Sequence, residues 1–421
     1  MTTDVRRAVL IYACAFAVAG ATPFLLLPVL TTYLSPQQFG EITSFLILAA
    51  LLANLGGLSA HGFVSVRYFS TSASVFRSLV GNSLAVVAVA HVVLLVLVFM
   101  LFPLLHRSLG LSIGQVTLAV IAALFLSFNL VFLAIFQASN QPGLYLRARL
   151  LQGFVELSLC MALIFFVVAD AQARTHSYTL ALAASALLGG GYCLRQQRIG
   201  GPIAASQIKA LLRFGVPMVP HIAAGTAITY LDRLVVSTLL GVESLGIYMV
   251  AMQIGMAMIA LIEPLNKALV PWLFGQLSKN QASVKDMVVR RTYQLFAVLI
   301  LLGVLVAGAA HLLFDQFIGP GFEEARSLIP WMVAGFVMQG FYYSQVNYLF
   351  YAEKTGMLSK ISVSIALLGC LVSYTLTRAW GLTGAGASFL INNFLLFVLV
   401  WWAASRAVPM PWRLGGRGES T

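Results

Sequence analysis

The stretch 214–240 is apolar enough to cross a bilayer, yet it carries Pro217, Pro220, His221, Asp232 and Arg233. A charge at the centre of a membrane helix costs about 2.5–3.5 kcal/mol on insertion scales, so Asp232 and Arg233 are read as turned toward a polar interior. There a guanidinium can hold an anion and a carboxylate can carry a proton or cation. The competing reading is that both side chains snorkel to headgroups from the outer end of the helix. At about 100° per residue, His221, Gly225, Thr229 and Asp232 share one face, with Arg233 at its edge. His221, beside Pro220, is either a packing residue at a helix start or a ligand or proton site.

Two more groups have spacings that allow chemistry. Met256, Ala260, Glu263 and Lys267 share an arc of the next apolar stretch, and Glu263 and Lys267 stand at the i, i+4 spacing of opposite charges. They are candidates for a coupling ion and for an anion respectively, or a structural pair, and Pro264 between them is expected to bend the helix. Glu156 has the same two readings, with its partner unidentified. Further on, Gln339, Tyr343 and Asn347 follow i, i+4, i+8, with Trp331, Tyr342, Tyr348 and Tyr351 nearby. Aromatic faces stack on the C–H faces of a sugar ring and amides hydrogen-bond its hydroxyls. For Tyr348 and Tyr351 the alternative is an aromatic belt at the membrane interface.

The elements that position these residues are membrane helices. The chain is 60% hydrophobic and 9% charged, with a mean hydropathy of +0.93, beyond what a water-facing surface accommodates. Twelve spans are read: 8–33, 42–64, 79–105, 116–138, 150–169 and 178–194, then 214–240, 246–274, 292–314, 328–352, 360–377 and 382–405. All exceed the strands of about ten residues that build barrels. The sixth is short and interrupted by Gly189, Gly190 and Gly191. With both termini cytoplasmic, most of the 25 Lys and Arg fall in cytoplasmic segments, as the positive-inside rule requires. Arg107, Arg174, Arg326 and Arg378 fall outside, while Arg233 and Lys267 lie within the membrane. The net charge of +12 is thus a topology signal, and nucleic acid is not an expected partner.

Arg6 and Arg7 precede an apolar run too long for a cleaved leader, so it is expected to stay as the first helix. The four cysteines fall within spans at no metal spacing and read as packing residues. No metal or cofactor motif is present in the sequence, Lys354-Thr355 lacks the glycine of a phosphate-binding loop, and no loop is long enough for a catalytic domain. An enzyme is not expected.

Similar punctuation recurs in the two halves. Leu34-Ser-Pro-Gln-Gln-Phe-Gly40 has the Leu-to-Gly spacing of Leu240-Gly-Val-Glu-Ser-Leu-Gly246, and Phe136-Gln-Ala-Ser-Asn-Gln-Pro-Gly143 is similar to Phe350-Tyr-Ala-Glu-Lys-Thr-Gly356. Six helices per repeat is an even number, so both halves insert with the same orientation. The expected architecture is all-α and polytopic: a six-helix bundle over 1–194, a cytoplasmic linker over 195–213, a second six-helix bundle over 214–405 and a cytoplasmic tail over 406–421. Gly200, Gly201 and Pro202 make the linker read as flexible. A pair of parallel-repeat bundles is expected to hold a substrate cavity where they meet and to work by rocking.

Phe214-Gly-Val-Pro-Met-Val-Pro-His221, followed by Asp232-Arg233 and Leu239-Leu-Gly241, resembles the helix-seven signature of Wzx-type polysaccharide flippases. The 240–248 turn, the 136–143 hairpin and the twelve-span layout are also similar to that family. It sits in the exporter superfamily that includes multidrug MATE transporters and lipid II flippases. The resemblance implies a bacterial inner-membrane protein that moves an undecaprenyl-pyrophosphate-linked oligosaccharide to the periplasmic leaflet for O-antigen, capsule or exopolysaccharide assembly. Implied partners are the lipid-linked oligosaccharide and membrane lipids, with a polysaccharide polymerase and chain-length complex as candidates. On this reading Arg233 and Lys267 take the anion, Arg67, Arg147 and Arg149 meet the pyrophosphate first, and Gln339, Tyr343 and Asn347 take the glycan. Asp232, Glu263 and His221 are the candidates for a coupling ion. The alternatives are a cation-coupled small-molecule exporter of the same superfamily and a membrane scaffold without transport activity.

Overall fold

The computed structural model describes residues 3–279 and 281–412. In chain order the helices are α1 (Thr3–Tyr33), α2 (Pro36–Gly56), α3 (Ala60–Tyr68), α4 (Ala73–Met100), α5 (Phe102–Leu109), α6 (Ile113–Ala138), α7 (Pro142–Phe166) and α8 (Ala171–Arg195). They continue with α9 (Ala205–Gly215), α10 (Val219–Leu240), α11 (Val242–Gly255), α12 (Ala257–Leu277), α13 (Ala282–Phe317), α14 (Glu323–Tyr351) and α15 (Thr355–Ala407). No strand occurs among the described residues. Eight helical stretches there are long and apolar enough to cross a membrane; the spans read from sequence lie largely on helix, but 42–64 is broken at 57–59 between α2 and α3, 79–105 at Leu101 between α4 and α5, and 150–169 runs past the end of α7 at Phe166. The chain divides into two compact units, Met1–Gly246 and Ile247–Thr421.

Local chemistry sets the helix ends. Ser35 and Ser112 cap α2 and α6, and each also donates its backbone N–H to the side-chain oxygen of Gln38 or Gln115, the capping-box arrangement. Asp170 accepts the Gln172 and Ala173 amides to start α8. The two hairpins matched in sequence close alike: Gln141 N–H bonds the Phe136 carbonyl and Lys354 N–H the Leu349 carbonyl, with Asn140 and Glu353 left-handed at φ 52° and 56°. This is the closure common at helix C-termini. In α15, Gly381 at φ 61° is non-helical, and Ser373 bonds Ser388 across the bend. It therefore comprises two spans, as the sequence reading has it.

In the first unit α6 is central, packed on α2, α3, α4, α7 and α8. Asn129 on α6, 2% exposed, donates to the Leu182 carbonyl of α8 at 2.8 Å, and Ser127 to the Ala53 carbonyl of α2 at 3.2 Å. Such bonds answer the demand that polar groups inside a membrane bundle be satisfied internally. The three glycines expected to interrupt the sixth span do not: α8 runs unbroken through them. Gly189 admits the Phe132 ring, which a Cβ would meet at 2.8 Å, so close helix packing, not a turn, explains the glycine there.

The two Leu-to-Gly turns that match in sequence also meet in space. A Cβ on Gly40 would collide with the Val242 carbonyl oxygen, and one on Gly246 with the Pro36 carbonyl oxygen. Backbone cannot yield as a flexible side chain does. Gly40→Ala and Gly246→Ala are each expected to destabilise the protein by about 1–3 kcal/mol, the cost of overpacking, seen as a lower unfolding temperature in detergent. An unchanged midpoint would show that the turns are not in contact.

The linker is docked, contrary to the expectation of a loose tether. Ser78 Oγ lies within hydrogen-bond distance of two acceptors to which its one hydrogen can turn, the Pro202 carbonyl at 3.0 Å and Gln207 Oε1 at 2.9 Å. Asn82 Nδ2 also reaches Gln207 Oε1, at 2.7 Å, and Arg77 Nε reaches the Ile199 carbonyl at 3.3 Å. Asn82, 5% exposed, is the hub, since its Oδ1 also accepts the Ala204 amide. Removing one member of a buried network strands its partners at about 1–3 kcal/mol. Asn82→Ala is therefore expected to expose the 195–213 segment to protease, whereas the wild-type segment resists it. Equal cleavage of both would mean that the network does not hold the linker.

In the second unit α14 packs on α12, α13 and α15. Tyr348 is not part of an interfacial belt: it is 1% exposed and lies edge-on to Trp412 at 5.7 Å. Trp412 is drawn there by its carbonyl, which accepts the Tyr293 hydroxyl at 2.6 Å. The break in span eight falls at Gly255–Met256 rather than at Pro264, and α12 continues through Pro264 and Pro271. Gly255 there lets Met332 and Phe336 of α14 approach, within 2.8–3.0 Å of a would-be Cβ.

Candidate functional site

Each unit carries ionisable groups inside its spans. In the first, Asp232 and Arg233 on α10 have side chains only 16% and 12% exposed and lie 3.6 Å apart. The Arg233 guanidinium sits over the Tyr230 ring, 5.2 Å from its centroid, and donates to the Thr229 carbonyl. Both therefore turn inward, and neither snorkels. Gly225 and Thr229 on the same helix are exposed. His221 lies on α10, with its side chain outside the described residues. Asn54 of α2 reaches Thr226 at 2.9 Å and Ser237 reaches the Ser108 carbonyl of α5 at 2.7 Å, fixing α10 against α2 and α5.

Glu156 has its partner. Arg174 Nη2 stands 2.6 Å from Glu156 Oε1, with both side chains below 10% exposed. The sequence reading puts Arg174 in an outer loop; the structure puts it in the first turn of α8, buried. A cation there opposes the helix dipole, and a lone carboxylate in mid-span needs a cation. Those two anomalies, read together, are the sequence signal that pairs them. The guanidinium also lies over Tyr178, 5.7 Å from its ring centroid. Arg149 donates to Gln152 at 3.3 Å, whereas Arg67 and Arg147 are exposed.

In the second unit the arc read from sequence is one exposed face of α12: Met256, Ala260, Glu263 and Lys267 all lie on it. Lys267 Nζ is 3.2 Å from Glu263 Oε2, with 67% and 47% of the side chains exposed. An exposed ion pair within a membrane-spanning helix faces water more readily than hydrocarbon. Gln339 Nε2 meets the Tyr343 hydroxyl at 3.4 Å, and Asn347, 6% exposed, reaches Asn266 at 2.9 Å. Asn347 also lines a cleft of about 840 Å³ among α12, α13 and α14, together with Ser344 and Arg291. Arg291, read from sequence as a topology signal, is the cation of that cleft.

A sequence model of polysaccharide biosynthesis proteins matches residues 5–277. The chain belongs to that family. This polysaccharide biosynthesis protein is 28% identical over 373 residues to an "Uncharacterized membrane protein" of Haemophilus influenzae, covering 86% of this chain and 88% of that one. "Lsg locus putative protein 1" of the same organism is 22% identical over 407 residues, covering 91% and 94%. Its fold is that of an inward-facing multidrug resistance MATE transporter of the MOP superfamily, with TM-score 0.63, 15% identity and coverage of 97% and 95%. The lipid II flippase MurJ in an inward closed conformation gives TM-score 0.73 at 12% identity, covering 94% and 87%. The resemblance read around helix seven is borne out in family and fold, and the polysaccharide biosynthesis protein is a multi-pass membrane protein.

Proposed function

We propose that this protein turns an undecaprenyl-pyrophosphate-linked oligosaccharide from the cytoplasmic to the periplasmic leaflet of a bacterial inner membrane, by alternating access, for O-antigen, capsule or exopolysaccharide assembly. The observation that carries the reading is the exposed charged face of α12, Glu263 and Lys267, in a polysaccharide-family membrane protein. A glycan and its pyrophosphate cannot enter hydrocarbon, so a flippase must offer them such a surface. Lys267 and Arg233 are the proposed anion groups, with Arg67, Arg147 and Arg149 as first contacts at the cytoplasmic ends. Gln339 and Tyr343 are proposed for the glycan, and Asp232, Glu263 and His221 for a coupling ion; Asn347, whose two amide hydrogens bond Asn266 and the Tyr343 carbonyl, is not kept for the glycan. A polymerase and chain-length complex would take the product.

The decisive measurement is the level and sidedness of undecaprenyl-linked oligosaccharide in inner membranes, with and without this protein, at matched expression of the sugar-assembly enzymes. Accumulation on the cytoplasmic face with loss of surface polymer is expected when the protein is absent. Unchanged lipid-linked glycan would transfer the role to a cation-coupled exporter, the reading that the MATE-like fold supports.

A further inference from the structure

The cleft of about 840 Å³ among α12, α13 and α14 lies within the range of ~300–1,000 Å³ usual for ligand pockets. Two rows of side chains face it. On α12, Leu265, Leu269 and Trp272 follow at i, i+4 and i+7, and on α13 Arg291, Leu295 and Val298 do the same. Each row is one helical face, and the α13 row passes from a cation directly to hydrocarbon. Arg291 is exposed near the start of α13 and donates to Gln294 Oε1 at 3.2 Å. Among the described residues it makes no ion pair.

Three polar side chains deeper in the cleft are already engaged, while the buried Tyr348 hydroxyl has no hydrogen-bond partner. Asn347 Nδ2 donates to Asn266 Oδ1 at 2.9 Å and to the Tyr343 carbonyl at 2.8 Å, Ser344 Oγ to the Phe341 carbonyl at 2.7 Å, and Thr292 Oγ1 to the Val288 carbonyl at 3.0 Å. The cleft therefore asks of its occupant a hydrocarbon body and one anionic end. A glycerophospholipid carries two ester carbonyls and two chains directly below its phosphate, and burying both esters among Leu269 and Leu295 would leave one without a partner, since the Tyr348 hydroxyl can donate to one of them only. A polyprenyl phosphate passes at once from phosphate to a single apolar chain. Its phosphate oxygens match a guanidinium in bidentate fashion, and burial of the chain supplies the rest of the affinity.

We infer that the cleft holds the isoprenoid tail of the lipid-linked substrate on the cytoplasmic side, with Arg291 on its phosphate. This rests on the flippase reading and adds to it a seat for the tail. The test uses the full-length protein in nanodiscs, with undecaprenyl phosphate as the probe, phosphatidylglycerol as competitor and native mass spectrometry as readout. Saturable binding to the wild type is expected to weaken about 10- to 100-fold in Arg291→Ala, the loss of one charge-assisted contact, and to weaken less in Arg291→Lys. Val298→Trp, a cleft-filling change at a position 47% exposed, is expected to remove the binding at an unchanged lipid-free unfolding temperature. Should that variant unfold, the Arg291 pair decides alone.

Equal binding by the wild type and by Arg291→Ala overturns the cleft assignment and leaves the flippase reading standing. Displacement of the probe by an equal amount of phosphatidylglycerol assigns the cleft to bulk lipid and also overturns it. Absence of saturable binding even by the wild type sinks the proposal, and the leaflet assay then judges the flippase reading separately.

Discussion

Arg174→Ala is expected to destabilise the protein by about 3–5 kcal/mol, the cost of leaving one member of a buried ion pair alone. Its partner Glu156 is 5% exposed and lies on α7, with no water front to relax into. Arg174 Nη1 makes no hydrogen bond, so the pair is imperfectly satisfied even in the wild type. An apolar replacement of both members should therefore recover most of the loss, as polar groups removed together leave nothing stranded. In detergent, Arg174→Ala should unfold well below the wild type, and Glu156→Leu with Arg174→Met should unfold close to it. If the double variant unfolds as early as the single one, Arg174 acts through packing over Tyr178 and not through its charge. Polymer export measured on the double variant adds a second reading: preserved export makes the pair structural, and lost export at full stability gives it a part in transport.

The helices were legible because hydrocarbon length is a one-dimensional signal: twenty apolar residues span a bilayer whatever they pack against. The turns were legible for a similar reason. The Leu34-to-Gly40 and Leu240-to-Gly246 spacings require glycine where two backbones touch, and the structure brings them against each other. The face holding Glu263 and Lys267 followed from helical phase alone. What failed to show was pairing across the chain. Arg174 read as a loop residue because sequence distance from a span's apolar centre does not say whether a helix begins earlier, capped by Asp170. Asn82 gave no sign that it would hold Gln207, since an amide in a span is equally at home bonding its own helix. Tyr348 looked interfacial until Trp412 folded back onto it, a contact made by the tail, whose position no periodicity encodes. Arg291 counted as one more basic residue until α12 placed Leu265, Leu269 and Trp272 across the cleft from its own helix.

The second large effect is expected at Arg233. In Arg233→Ala, export should fall about 10- to 100-fold, the equivalent of one charge-assisted contact to an anion. Arg233→Lys should retain part of the activity, since it keeps the charge but not the planar fork. Loss of export alone is ambiguous, because the change also leaves Asp232, 3.6 Å away and mostly buried, with less compensation. The combination Asp232→Asn with Arg233→Ala separates the two roles. If Arg233 serves only to neutralise Asp232, the double variant regains both stability and export. If its guanidinium meets the substrate anion, stability returns while export stays low. The second outcome is expected, because a charge kept inside a span at a cost of several kcal/mol on a helix already fixed by Asn54 and Ser108 has little left to do for the fold.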